Sequence, residues 1–136
     1  FISLTIIAGT FVSGMDAGLV YNTFPYMGDS IIPIEYGNLG FIDPFENPVT
    51  AQFHHRLLAS ITLIIIIIYS ILYIIRNPIN LRILLLLFAI VCQFIIGIFT
   101  LLYSVPITLG AMHQFGGVLL FLSALWLLHY PRNNTF

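Results

Sequence analysis

Residues 63–68 are an unbroken block of leucine and isoleucine, set within an apolar run from about Val49 to Ile75. A soluble helix of that length needs a charged face, and from Leu57 to Ile75 there is no charged residue. About 20 mostly apolar residues are enough to cross the hydrocarbon core of a bilayer. Three further runs qualify: Phe1 to about Val20, about Leu81 to Tyr103, and about Pro106 to Tyr130. Lipid leaves backbone polar groups no partner except each other, so a chain of such runs folds as helices. The expected fold is all-α: a polytopic membrane protein whose residues 1–136 form a single four-transmembrane-helix domain. Composition agrees: 60% of residues are hydrophobic and 7% charged, against about a quarter charged in soluble domains. Net charge is -1 with no basic patch, which excludes nucleic acid as a partner and leaves membrane lipid as the surroundings.

The spans are joined unevenly. Asn77-Pro78 marks a short break between the second and third. Between the first and second lies a loop, 21–48, with four prolines, three glycines and aromatics at Tyr21, Phe24, Tyr26, Tyr36, Phe41 and Phe45. Plain linkers lack such residues, so this loop is expected to fold onto the bundle. Asp16, Asp29, Glu35, Asp43 and Glu46 lie on or near the loop side, here side A. Arg76, Arg82 and Arg132 lie on the opposite side B, which the positive-inside rule makes the cytoplasmic or matrix face. The chain begins at Phe1 inside an apolar segment with no basic n-region, so it reads as a fragment or half of a longer protein rather than a signal peptide.

Two histidines stand in equivalent places. His55 follows Pro48 by seven residues, and His113 follows Pro106 by seven. The second and fourth spans run the same way, so both histidines should sit roughly 10 Å along their helices, at matching depth near side A. Gly110, Gly116 and Gly117 share a face with His113, and Ala51 and Ala59 share one with His55. Cleared faces suit a flat macrocycle between two helices, and imidazole is a common haem-iron ligand. They equally suit close helix packing with no cofactor. A zinc site is less well supported, because Cys92 belongs to another span and no third ligand stands at ligand spacing.

Arg56 is a charge just inside the second span, about 100° round the helix from His55. It could grip a haem propionate, snorkel to the surface or pair with Asp16. His54 should point to the loop, and His129 should lie at the side B end. Gly14 and Gly18 form a G-x-x-x-G pair, usually a sign of close helix contact, with Asp16 between them. Gln52, Gln93 and Gln114 are membrane amides whose default role is interhelical hydrogen bonding.

Several runs together resemble the haem A synthase family: Gly14-Met15-Asp16-Ala17-Gly18, Tyr21-Asn22-Thr23-Phe24-Pro25-Tyr26-Met27, Gln52-Phe53-His54-His55-Arg56, and His113-Gln114 after Leu101 to Pro106. The resemblance covers nearly the whole chain and points to the C-terminal half of an eight-helix, two-repeat fold. It implies that His55 and His113 ligate a b-type haem, with Arg56 beside a propionate and Tyr21 to Met27 shaping a side A lid. The implied activity is an oxidoreductase converting a methyl group of haem O into the formyl group of haem A, for terminal oxidase assembly. The substrate would sit mainly in the other half, so the fragment alone is expected to be inactive and its catalytic residues stay unassigned. The implied setting is a bacterial plasma membrane or mitochondrial inner membrane, with the haem near the outer side. A non-catalytic b-type cytochrome carrying electrons is the alternative. The electron donor is unidentified, and a homo-oligomer stays open.

Overall fold

The longest helix starts where the sequence supplies both a cap and a proline. Asn47 Oδ1 accepts the Val49 N–H at 3.0 Å, and Pro48 fills the first helical position, where its missing N–H costs nothing. In the computed structural model, which describes residues 1–129, this helix is α3 (Pro48–Arg76). Before it come α1 (Ile2–Gly14), two 3-10 turns (Ala17–Leu19 and Gly40–Ile42) and the single-turn α2 (Asp43–Glu46). After it come α4 (Leu81–Leu102) and α5 (Ile107–Leu128). Asn80 caps α4 by accepting the N–H groups of Arg82 and Ile83 at 3.1 and 3.2 Å. Tyr130 and Arg132, assigned above to the fourth span's end and to side B, lie outside the described residues.

Three of these helices, α3, α4 and α5, with 29, 22 and 22 residues, are long and apolar enough to cross a membrane. The chain is an integral membrane protein with a helical fold. The first expected span differs. Its helix stops at Gly14, six residues short of Val20, and α1 has 13 residues. At about 1.5 Å per residue it reaches roughly 20 Å, two-thirds of a hydrocarbon core of about 30 Å. Asp16 turns the chain by adopting a left-handed conformation (φ 50°), which aspartate tolerates better than most side chains. Gly14 and Gly18 therefore do not share a helix face. Gly14 has open space where a Cβ would be, while Gly18 lies under Val105, whose Cγ2 would be 2.8 Å from an added Cβ.

Helices α1, α3, α4 and α5 associate as two pairs. α1 lies on α3, where the Thr5 and Thr62 hydroxyls share a 2.8 Å hydrogen bond. α4 lies on α5, with the Arg82 guanidinium 5.0 Å from the Trp126 ring centre. The pairs join through α3 and α4 over a core of Ile66, Ile83, Leu86, Ile90, Leu120 and Leu127, all in the half away from the long loop. Towards the loop no such core forms. There α1 and α5 barely meet, and α3 and α5 have no extensive contact.

The loop is organised by one buried carboxylate. Asp43 is 1% exposed and accepts four hydrogen bonds: from the Gly37 and Leu39 N–H groups (2.9 Å each), from Asn47 Nδ2 (2.9 Å) and from the Thr50 hydroxyl. Burial alone would push its carboxyl pKa up, but the four donors outweigh burial and hold it well below the usual carboxylate range. A depressed folded pKa contributes stability that is whole above the ordinary value of about 3.9 and drains away as pH falls towards the folded value. Backbone protection of Gly37 and Leu39 should therefore persist at pH 5 and fail only in stronger acid. Asp43→Ala should lower that protection by roughly tenfold or more at neutral pH, as read by hydrogen exchange.

Candidate functional site

The missing upper core is a cavity of about 800 Å³ lined by α1, α3, α4, α5 and by connecting residues that include Gly18, Phe24 and Val105. That is near the top of the range for small-molecule and cofactor sites, about 300–1,000 Å³. His55 and His113 both line it, with ring centres 6.2 Å apart and ring planes at 87°. The structure thus brings together the two histidines that the proline spacing places at equal depth.

Each imidazole is seated on the neighbouring helix by a polar group and, four residues on, a glycine. On α1, the Thr5 carbonyl lies 3.1 Å from His55 Nδ1, and a Cβ on Gly9 would come within 3.0 Å of His55 Cε1. On α4, Gln93 Nε2 lies 3.2 Å from His113 Nδ1, and a Cβ on Gly97 would come within 2.8 Å of His113 Cε1. Positions i and i+4 face the same way on a helix, so each pair makes one seat. A carbonyl can only accept, so Thr5 holds His55 with its proton on Nδ1 and leaves Nε2 a free lone pair.

Arg56 also lines the cavity, but its terminal nitrogens turn to the loop. They donate to the carbonyls of Tyr21 (2.7 Å), Thr23 (2.9 Å) and Tyr26 (3.4 Å). Its Nε is buried with no hydrogen-bond partner. Gln52, one turn earlier, donates to Tyr21 O at 3.0 Å, and its own carbonyl oxygen is buried without a partner. Tyr21 in turn donates its hydroxyl to Glu35 at 2.9 Å, a bond that pushes the phenol pKa up. Phe24 packs edge-on against Phe94 at 6.2 Å, and both rings line the cavity. Arg56 is thus a staple for residues 21–26, not a partner of Asp16, which is exposed at the cavity rim.

The other candidates lie elsewhere. His54 bonds the Tyr36 hydroxyl through Nε2 at 3.2 Å, facing the loop as expected. His129 is exposed at the end of α5. Cys92 is a half-buried free thiol. Among the described residues, no three histidine, cysteine or acidic side chains converge to hold a bare metal ion. Two imidazoles across a slot suit instead an ion that brings its other ligands with it.

Comparison with known proteins gives the family of the chain. Residues 1–125 match the family described as cytochrome oxidase assembly protein (COX15-CtaA). The chain belongs to this family. Among its relatives, a "Heme A synthase" of Wolbachia pipientis subsp. Culex pipiens is 41% identical over 135 residues, covering 98% of this chain and 40% of that protein. A "Heme A synthase" of Rickettsia bellii (strain OSU 85-389) is 41% identical over 138 residues, with the same coverages. One from Nitrosospira multiformis is 40% identical over 139 residues, covering 96% of this chain and 38% of that protein. The chain spans about two-fifths of the length of these relatives and corresponds to their C-terminal part. No solved structure matches.

For this family member, sequence spacing identifies the histidines but not their seats. Gly9 and Gly97 lie on other helices, and their value appears only when the helices pair. Gly116 and Gly117, which read as clearance for a ligand, accommodate the Gln93 side chain. Gly97→Ala should force the His113 ring aside. Overpacking of this kind costs about 1–3 kcal/mol, which denaturant melting in detergent would show.

Proposed function

We propose that this chain is the haem-binding half of a haem A synthase, with His55 and His113 as axial ligands of a b-type haem. The observation that carries this reading is the imidazole pair, 6.2 Å apart across a cavity. Metal–imidazole bonds of about 2 Å, extended by roughly 1 Å from each nitrogen to its ring centre, separate two axial imidazoles by about 6 Å. The fit extends to the remaining groups. The Thr5 carbonyl engages His55 Nδ1, which leaves Nε2 of that ring for an iron, and Gln93 holds the second ring by its Nδ1. Arg56 Nε is an unused donor in the cavity wall and suits a propionate carboxylate. Gly9 and Gly97 keep the rings clear of neighbouring side chains.

A haem held this way supplies one-electron transfer at a potential set by its ligands and its burial. The chain's own residues hold and shield it. Thr5 fixes the tautomer of His55, Arg56 and Gln52 anchor residues 21–26 beside the cavity, and Phe24 supplies an apolar face to its lining. The whole protein oxidises a methyl group of haem O to the formyl group of haem A, as an oxidoreductase of terminal oxidase assembly. The four helices act as one unit beside a further half that holds the substrate. Acidic residues crowd the loop side while Arg76 and Arg82 lie opposite, so the haem sits near the periplasmic or intermembrane-space face.

A reduced-minus-oxidised difference spectrum of the full-length protein should show a b-type signal that is lost in His55→Ala and in His113→Ala. A signal unchanged in both variants would remove the ligand assignment. Arg56→Gln should lower haem content several-fold, and an unaltered content would remove the propionate role.

A further inference from the structure

The two imidazole seats differ in one respect that bears on ligation. At His55 the partner of Nδ1 is a backbone carbonyl, which can only accept. At His113 it is the Gln93 side-chain amide, which carries both a donor and an acceptor. The same Gln93 nitrogen lies 2.7 Å from the His113 carbonyl oxygen, a place only a donor can occupy. Gln93 therefore donates to Nδ1 as it stands, and the His113 proton is on Nε2. That tautomer has no lone pair on Nε2 for a metal. The Gln93 carbonyl oxygen, meanwhile, is buried with no hydrogen-bond partner, pressed against Gly116. Glycine at that position leaves room that any Cβ would take.

We propose that Gln93 is the positioning residue that sets the tautomer of His113, and that its amide turns over when a haem is bound. Turning the amide about its last bond, with a swing of the side chain clear of the His113 carbonyl oxygen, gives up the 2.7 Å bond to that carbonyl and brings the orphaned oxygen towards Nδ1. It then accepts the Nδ1 proton and frees Nε2 to ligate. His55 is held ready by Thr5, whereas His113 becomes a ligand only with the amide reversed. The cavity thus has one standing ligand and one conditional ligand. This inference rests on the haem-ligand reading above and adds the group that governs its second ligand.

The test compares Gln93→Met and Gln93→Glu in the full-length protein, by haem dissociation into an excess of a haem-scavenging protein and by midpoint potential. Methionine fills the same space but cannot accept the Nδ1 proton. Haem loss should speed up by about 10–100-fold, the usual effect of removing a ligand's hydrogen-bond partner, and the potential should rise. Glutamate accepts permanently and makes the imidazole a stronger donor, so the potential should fall with haem retained. Shifts in opposite directions support the proposal. No shift in either variant, or the same shift in both, would overturn it, the latter because packing alone would then explain the effect. If the methionine variant fails to fold, the glutamate potential decides: a fall supports, and no change overturns. His113→Ala run in parallel separates the two layers. A haem signal that survives that substitution defeats the ligand reading itself, whereas its loss alongside inert Gln93 variants defeats only the role of Gln93.

Discussion

Everything near the loop end of this bundle depends on α3 and α5 standing apart while holding two imidazoles 6.2 Å from each other. Apolar helices in lipid gain no hydrophobic drive from packing together, so a gap between them has to be maintained by specific contacts. Here two helix pairs do this. α1 supports the histidine of α3, and α4 supports the histidine of α5. The pairs are joined at the opposite end by the Ile66–Leu86–Leu120 core, which leaves the loop end free to splay. The corner before α5 adds stiffness. Ser104 and Val105 both have positive φ (56° and 54°), and a β-branched residue there is strained by about 1–3 kcal/mol. Val105 is kept in place by the Gly18 contact, and Asn22 links the carbonyls of Gly18 and Leu101 at 2.9 Å each.

Polar atoms without partners are rare inside folded proteins, and each needs a reason. Three of those found here, on Gln52, Arg56 and Gln93, belong to side chains lining one cavity. The fourth, the Ser70 hydroxyl, lies away from it. Unused donors and acceptors thus gather in the walls of the cavity that holds the two imidazoles, where a polar-edged ligand could use them. A bundle packed only for stability would fill the same space with methyl groups.

Much of this was legible in the chain itself. Long apolar runs set the helices, the prolines at 48 and 106 set the depth of the histidines, and the short motifs around them pointed to the family. Three features were not legible, each for a physical reason. The first helix stops at Gly14 because Asp16 enters a left-handed turn, and hydropathy is blind to backbone dihedrals. Gly9 and Gly97 matter through contacts across helices, which spacing along one helix cannot reveal. Arg56 lies beside His55 in sequence, but its terminal nitrogens are taken by carbonyls more than thirty residues away in the chain, at Tyr21 and Thr23.

The most direct test of the central claim is low-temperature electron paramagnetic resonance of the oxidised full-length protein. Were the two imidazoles to ligate one haem iron with their planes still at 87°, the two iron orbitals that overlap them would be nearly equal in energy. The predicted result is a low-spin ferric signal with one strongly anisotropic, high-g feature, lost in His55→Ala and His113→Ala. A ferric haem signal at this site that stays high-spin, or that keeps its shape in both variants, would contradict ligation by this histidine pair.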